Sequence, residues 1–298
     1  MRKIFSKNLK LNSDLAFSFF LVTRVAALVL SFPCITDVPQ YLDHFIKGQI
    51  FNIPAYSGFA YEYPPLTLLM IYLPALAFKD VINFEIYFVC FAITMFLIDF
   101  LCLKSCQFYC QKRLKLAEDD INYMTIFYSL FGLLMFRMLY HRLDIVVALF
   151  FTSSLIFFQA RNSKLKPIFF INALAGFFYK IVPAFTVPSA IISKAFNQNI
   201  SLKKTVKKIF SDSIIFVFLL VLIIGIFETY SHGNFIRNML FHQNRGIQIE
   251  STYGSLFLLL NLLTSLNFPI VNNYGSWNIF VDNFASKDPW FGGASMIR

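Results

Sequence analysis

The sequence predicts an all-α polytopic membrane protein, and two observations carry that prediction. Of the 298 residues, 57% are hydrophobic and only 14% are charged, with a mean hydropathy of +0.63. Soluble domains carry about 25% charged residues. Several apolar runs also approach the roughly 20 residues that cross a bilayer. We therefore predict about seven or eight spans in a single transmembrane domain that covers residues 1–298.

The basic residues predict the orientation of the first span. The net charge is +10, but the basic residues form short clusters between apolar runs. That pattern is typical of the positive-inside rule and not of a nucleic-acid-binding face, so no nucleic-acid partner is expected. The basic N-terminus has no cleavage site after it, and we interpret Leu15–Pro33 as an uncleaved span that leaves the cytoplasm. Arg24 lies near the middle of this span, where it either faces a partner or snorkels to the interface.

The segment Tyr63–Phe78 decides the rest of the topology. Only about a dozen residues separate Pro65 from Lys79, which is short for a span. If the segment is a re-entrant or interfacial helix in the first outer loop (residues 34–80), every later basic cluster stays on the cytoplasmic side. That arrangement places 16 of the 26 basic residues inside. We therefore predict a re-entrant or interfacial helix here.

The remaining apolar runs give the other predicted spans. In order they are Val81–Leu103, Ile121–Tyr140, Ile145–Phe158, Pro167–Tyr179, Ile181–Ser193 and Ser213–Tyr230. Lys180 falls at the break between two short half-spans, near the outer surface. The pattern of Ser201–Phe210 predicts an amphipathic helix on the anionic inner leaflet. Leu256–Leu266 is too short for a confident span, and the polar tail, residues 272–298, contains none.

This topology places all four histidines on or near the outer side, together with the carboxylates of Asp37, Asp43, Glu62, Asp80, Asp144 and Glu250. In His141-Arg142-Leu143-Asp144 the basic pair can hold phosphate, and Asp144 either pairs locally or caps a helix. The late outer loop, residues 231–252, contains a run of donors and acceptors, in which Arg245 offers a bidentate phosphate donor. The first outer loop adds two carboxylates, Asp37 and Asp43. The chain has no H-E-x-x-H or C-x-x-C spacing, so no metal site is expected.

Taken in order, these motifs resemble the polyprenyl-phosphate-mannose-dependent α-mannosyltransferases of glycosyltransferase family 87, within the GT-C superfamily. The residues that carry the resemblance are Asp37-x-x-x-Tyr41, Gly48, Pro54, Tyr56, Tyr63-Pro64-Pro65-Leu66, Lys180-x-x-Pro183 and Arg245-Gly246-x-Gln248-x-Glu250-Ser251. The chain is shorter than typical members and lacks the spans that follow the Arg245 loop in them. We therefore expect a C-terminally shortened or minimal form.

The resemblance implies a GT-C-like bundle and an inverting sugar transfer on the outer face of a bacterial inner membrane. The donor would be a sugar, mannose in the family, on a polyprenyl phosphate, and the acceptor a lipid or glycan. The resemblance implies neither a cofactor nor an essential metal. Asp37 falls on the family's candidate catalytic aspartate. The predicted substrate-binding residues are Tyr41, Asp43, Tyr63, His141, Arg142, Lys180, His242, Arg245, Gln248 and Glu250.

Two other classes of protein stay open. A transporter or a flippase for lipid-linked sugars would suit the broken half-spans at Lys180 and the charge at Arg24. A membrane scaffold subunit would suit the short C-terminus. Against the transporter, polar residues concentrate at one face of the predicted bundle and not at its midplane.

Overall fold

The structure of the chain is a computed structural model. It describes residues 12–32, 37–61, 63–158, 166–180, 187–188, 192, 202–239, 247–248, 252–264, 268–273, 276–279 and 295–296. The chain divides into two compact units. The first comprises Met1–Asn52 and Pro64–Ile223, and the second Ile53–Tyr63 and Ile224–Arg298.

Helices account for most of the described residues, which confirms the all-α class in that coarse sense. In chain order the α-helices are α1 (Ser13–Ser31), α2 (Val38–Phe45), α3 (Leu66–Tyr72), α4 (Phe84–Tyr109), α5 (Glu118–Leu134), α6 (Phe136–His141), α7 (Asp144–Phe158), α8 (Lys166–Tyr179), α9 (Leu202–Tyr230), α10 (Asn234–Met239) and α11 (Thr252–Leu263). Turns of π-helix extend α2 over Ile46–Ile50 and α4 over Cys110–Leu114. A 3-10 helix, Leu73–Val81, follows α3.

Three helices among the described residues are long and apolar enough to cross a membrane. They are Ser13–Ser31, Phe84–Leu114 and Lys203–Tyr230. Shorter apolar helices are Asp144–Phe158, Ile168–Tyr179 and Tyr253–Leu263. These helices support membrane character, and they match the predicted runs that begin at Leu15, Val81, Ile145, Pro167 and Ser213.

Helix α1 packs against α5 through a stripe of mainly small side chains. The side chain of Asn12 caps α1 by accepting a hydrogen bond from the backbone N–H of Asp14 at 3.1 Å. Buried residues recur about every three or four positions along α1, as expected for one face of a helix. They are Ala16, Phe20, Thr23, Arg24, Ala27 and Ser31. The buried positions of α5 are Asn122, Thr125, Ser129 and Gly132. Side chains this small allow two helix backbones to approach closely.

Helix α4 packs against α7, and α7 against α8. The side chain of Asn83 caps α4 by accepting from the backbone N–H of Ile86 at 2.9 Å. Two cysteines of α4 face α7, because Cys102 Sγ and Cys106 Sγ lie 3.9 and 4.0 Å from the hydroxyl of Thr152. These two cysteines therefore contribute to the packing of α4 on α7.

The predicted span Ile121–Tyr140 is wrong as a single helix. Helix α5 ends at Leu134, and Met135 leaves helical geometry (φ −100°, ψ 28°) before α6 begins. The break brings α6 onto α1. The hydroxyl of Tyr140 donates to the carbonyl of Arg24 at 3.2 Å, and His141 Nε2 lies 2.9 Å from the carbonyl of Ser31. Hydrogen bonds from two adjacent residues thus tie the redirected segment to α1.

The helix predicted at Ser201–Phe210 continues into the apolar run that follows it. Helix α9 runs without interruption from Leu202 to Tyr230, so the lysine-rich segment and the apolar segment belong to one continuous helix. The segment between them contains no proline or glycine to end a helix. The predicted re-entrant segment Tyr63–Phe78, in contrast, is short and broken: α3 passes into 3-10 helix, and Phe78 is non-helical.

The second unit contains a four-stranded antiparallel sheet that the sequence analysis did not predict. Its strands are β1 (Ile247–Gln248), β2 (Ile270–Asn273), β3 (Ser276–Ile279) and β4 (Ser295–Met296), in the order β1-β3-β2-β4. The buried Ile279 is in register with Ile247 on one side and Ile270 on the other. The polar tail, expected only to lack a span, therefore contributes strands.

Candidate functional site

Four charged side chains of the first unit form two ion pairs, which we call the charged cluster: Asp37, Arg142, Asp144 and Lys180. Arg142 Nε lies 3.5 Å from Asp37 Oδ2, and Lys180 Nζ contacts Asp144 Oδ1. Each residue stands at a helix end. Asp37 precedes α2, Arg142 separates α6 from α7, Asp144 begins α7 and Lys180 follows α8. Their side chains expose 28%, 38%, 34% and 43% of their surface, respectively, so a ligand can reach all four.

The helix α2 places Tyr41 on the same face as Asp37. The two residues are four positions apart, and one turn of helix contains 3.6 residues. The hydroxyl of the buried Tyr41 donates to Asp37 Oδ2 at 3.5 Å. The Asp-x-x-x-Tyr spacing noted in the sequence therefore has a physical basis, because it lets the tyrosine hold the carboxylate.

Burial raises the pKa of Asp37 above its ordinary value of 3.8. Arg142 opposes that rise, the negative charge of Asp144 adds to it, and Tyr41 and Lys180 lower the pKa of Asp37. The net direction is upward, so Asp37 binds a proton more tightly than an aspartate in water. A carboxylate whose proton affinity is raised in this way is suited to general-base chemistry.

His141 lies beside the charged cluster but is used to join helices. Its ring is buried, and Nε2 donates to the carbonyl of Ser31 at the end of α1. Nδ1 is also buried and has no hydrogen-bond partner within the described part of the chain. Burial lowers the pKa of His141, while the Ser31 bond and the charge of Asp37 oppose that shift and Arg137 reinforces it. A neutral ring fixed to α1 positions the adjacent Arg142.

Asp43 belongs to a different ion pair from Asp37. It stands six positions further along, which is about 240° around a helix, and its side chain is 52% exposed. Lys47 Nζ donates to Asp43 Oδ2 at 2.6 Å. The neighbouring His44 is buried, and burial lowers the pKa of His44 to about 4. Asp43 is thus engaged with Lys47 and not with Arg142.

The other predicted site residues belong to the second unit or lie outside the described residues. The backbone carbonyl of Tyr63 accepts a hydrogen bond from the hydroxyl of Tyr56 at 2.7 Å. Gln248 lies in β1, in register with Asn278 of β3. His242, Arg245 and Glu250 lie outside the described residues. The structure therefore brings together Asp37, Tyr41, His141, Arg142 and Lys180 of the predicted set.

Arg24 forms a buried ion pair with Asp99, a partner that the sequence analysis missed. Their side chains are only 1% and 2% exposed, so Arg24 does not snorkel. Arg24 Nε donates to Asp99 Oδ2 at 2.5 Å and Arg24 Nη1 donates to the carbonyl of Ser129 at 2.9 Å. The hydroxyl of Tyr128 donates to Asp99 Oδ1 at 2.6 Å. Gly132 leaves space for the guanidinium, since a Cβ there would lie 2.5 Å from Arg24 Nη2.

A groove of about 370 Å³ is lined by residues of both charged sites. Its walls come from α5, α6 and α7 and are almost entirely apolar. Arg24 and Asp99 line one part of it, and Asp144 of the charged cluster lines another. We call this space the α5–α7 groove. Asp144 is therefore common to the groove and the charged cluster.

The described residues contain no group of three or more histidine, cysteine or acidic side chains that could hold a metal ion. Together these observations define the class: a mainly helical chain with helices of membrane-spanning length and a charged cluster beside an apolar groove. Comparison with known proteins adds no family to this description, because no family model, curated protein or solved structure matches the chain.

Two further members of these sites had only weak sequence signals. Asp99 is a carboxylate well inside the predicted span Val81–Leu103, and such a residue needs a partner at membrane depth. The local sequence of Asp144 is compatible with a helix cap or a local pair, but its partner Lys180 lies 36 positions away. Pairings this distant in sequence arise from helix packing.

Proposed function

We propose that this chain is an integral-membrane glycosyltransferase that moves a sugar from a polyprenyl-phosphate donor to a lipid or glycan acceptor. The observation that carries the proposal is the charged cluster, in which a carboxylate of raised proton affinity stands beside two cations. Transfer from a phosphate leaving group needs a base for the acceptor hydroxyl and cations for the departing phosphate. Mannose as the sugar follows from the family resemblance.

In this mechanism Asp37 is the base. It removes the proton of the acceptor hydroxyl as that oxygen attacks the anomeric carbon from the side opposite the phosphate. The bond between the anomeric carbon and the phosphate oxygen breaks, and its electron pair leaves with the polyprenyl phosphate. Arg142 and Lys180 stabilise the charge that develops there. The sugar therefore changes anomeric configuration.

The two ion pairs also suggest how donor binding activates the base. Without a ligand, Arg142 is engaged with Asp37 and Lys180 with Asp144. A phosphate that draws these cations away leaves the two carboxylates facing each other with less compensating charge. Like charges raise each other's pKa, so the proton affinity of Asp37 increases when the donor is in place. The arrangement couples donor binding to acceptor deprotonation.

The proposal also includes the finer topology. It comprises seven or eight spans in a GT-C-like bundle, a cytoplasmic N-terminus and the charged cluster on the outer face. The basic clusters support this orientation. Cysteine labelling tests it: positions near Asn162 and Asn199 should react from inside, and positions near Asn52 and Asn244 from outside. Labelling of Asn52 and Asn162 from the same side would refute the interfacial placement of Tyr63–Phe78.

Asp37→Asn tests the reaction, with Asp43→Asn, six positions further along, as the matched substitution. Membranes containing each variant are given radiolabelled polyprenyl-phosphate mannose, and sugar transfer and donor binding are measured separately. Asp37→Asn should lower the transfer rate about 10²–10⁴-fold and keep donor binding, because Arg142 and Lys180 remain. Asp43→Asn should keep most of the rate. Normal turnover by Asp37→Asn with collapse in Asp43→Asn moves the base to Asp43, and normal turnover by both refutes the mechanism.

A flippase for lipid-linked sugars is the second candidate, and the buried Arg24–Asp99 pair favours it, because ionisable residues inside spans often mark transport pathways. The same membranes distinguish the two functions. A transferase consumes the polyprenyl-phosphate sugar, whereas a flippase moves it intact between leaflets.

A further inference from the structure

We propose that the α5–α7 groove binds the phosphate-proximal part of a single prenyl chain, about three isoprene units, while the attached phosphate lies against Arg142 and Lys180. This inference rests on the proposed function and deepens it, because it assigns the lipid part of the donor to a specific place and length.

Asp144 connects the groove to the cations. Its side chain lines the groove and its carboxylate contacts Lys180 Nζ. The adjacent Arg142 reaches Asp37 from the same connection between α6 and α7. A ligand that fits this arrangement must therefore carry its phosphate directly at the end of an apolar chain. A prenyl phosphate has that form.

The two charged sites that line the groove are not equivalent, and the difference orients the chain. Arg24 is 1% exposed and donates hydrogen bonds to Asp99 and to the carbonyl of Ser129, so its guanidinium is not accessible to a phosphate. Lys180 and Arg142 are 43% and 38% exposed, and their present partners are carboxylates that a phosphate can replace. The phosphate therefore belongs at the Asp144 end, and the chain extends toward Arg24.

The volume of the groove sets the length of chain that it holds. A cavity of about 150 Å³ binds one benzene molecule. With the same volume per carbon atom, a groove of about 370 Å³ holds about 15 carbon atoms, which is three isoprene units. The walls suit a branched chain. Met124, Met135 and Met138 can adapt to methyl branches, and Phe127 and Phe131 supply flat apolar surface.

A diacyl phospholipid fits less well for two reasons. Glycerol separates its phosphate from its two acyl chains, whereas here the apolar walls extend to Asp144 itself. A zwitterionic headgroup would also bring a cation toward Arg142 and Lys180. Phospholipid binding is therefore the competing occupant that the experiment must exclude.

The test uses the full-length chain in nanodiscs and a farnesyl phosphate with a diazirine on its third isoprene unit. We expect light to attach the probe to α5, at peptides that contain Met124, Phe127 or Phe131. Unlabelled farnesyl phosphate should prevent labelling, and dioleoyl phosphatidate at the same concentration should not. Labelling confined to helices outside the groove, or equal competition by phosphatidate, overturns the assignment.

Ala148→Trp fills the groove from α7 and should weaken farnesyl phosphate binding at least tenfold, while binding of inorganic phosphate, which needs only the cations, is retained. Leu134→Trp is the matched control, because Leu134 is 76% exposed and does not line the groove. Ala148→Leu is smaller and should give a partial loss if the tryptophan prevents folding. Unchanged farnesyl phosphate binding in both Ala148 variants overturns the proposal.

These readouts separate the groove from the reaction, because neither labelling nor binding requires a sugar. A wild-type chain that binds farnesyl phosphate in the groove but transfers no sugar contradicts the transferase alone. Sugar transfer by Ala148→Trp with unchanged donor saturation contradicts the groove alone.

Discussion

The buried Arg24–Asp99 pair allows a quantitative prediction. Asp99→Leu leaves the guanidinium of Arg24, which is 1% exposed, without its counter-charge. Breaking one side of a buried ion pair typically costs about 3–5 kcal/mol of unfolding free energy. Arg24→Met should cost a similar amount, because it leaves Asp99 with Tyr128 as its remaining hydrogen-bond donor in the structure. We therefore expect each single substitution to destabilise the chain strongly.

The double substitution Arg24→Met with Asp99→Leu should be far less damaging than the two single changes together. Apolar replacements of similar volume often match a buried ion pair in stability. Here the loss of partners for Tyr128 and Ser129 keeps the double variant roughly 1–3 kcal/mol below the wild type. The coupling between the two sites should then be at least about 3 kcal/mol. A coupling energy of this size indicates that Arg24 and Asp99 stabilise the fold as a pair, whereas two independent packing contacts would give a coupling energy near zero.

The assay is reversible unfolding of the purified chain in mixed micelles, followed by far-ultraviolet circular dichroism. All four proteins of the double-substitution cycle are compared at the same detergent composition. A loss below about 1 kcal/mol for Asp99→Leu would contradict the reasoning, because a buried, uncompensated guanidinium must cost more. Losses that simply add in the double variant would also refute the coupling.

Three further predictions follow from local contacts. Gly132→Ala should destabilise by about 1–3 kcal/mol in the same assay, because its Cβ would displace the Arg24 guanidinium; an unchanged stability would show that this packing is loose. Asn83→Ala removes the cap of α4 and should cost about 1 kcal/mol, whereas Asn83→Asp should restore most of it. Asp37 acts as a base only when ionised, so the transfer rate should rise with pH through a midpoint above 3.8. Arg142 lowers the pKa of Asp37, so Arg142→Gln should move that midpoint to higher pH, and a midpoint that moved lower would remove Asp37 from the role.

The helical part of the fold was readable from the sequence because long apolar runs determine it. Elements that depend on contacts between residues far apart in the chain could not be predicted from the sequence. Gly132 stands three residues before the break at Met135, but one glycine inside an apolar run does not by itself end a helix. The break is fixed by hydrogen bonds from α6 to α1. The strands of the second unit are two to four residues long, which is too short for an alternating pattern to be seen.

In the candidate site, too, the local features could be predicted from the sequence and the distant pairings could not. Asp37 and Tyr41 were found because their spacing of four residues is local to one helix. Asp144 and Lys180 were each noticed, but their pairing depends on the packing of α7 on α8. Asp99 is separated from Arg24 by 75 positions. Nothing in the local sequence of α4 or α1 specifies that particular partner.

The continuity of α9 has a consequence for how the chain meets the bilayer. At 1.5 Å per residue, its 29 residues extend about 43 Å. The hydrocarbon core is about 30 Å thick, and the bilayer with its headgroups about 40–45 Å. An upright α9 would therefore cross the headgroup layers as well as the core, with Lys203, Lys204 and Lys207 at the level of the lipid phosphates. In a thinner membrane the helix must tilt, so bilayer thickness changes the height of these lysines.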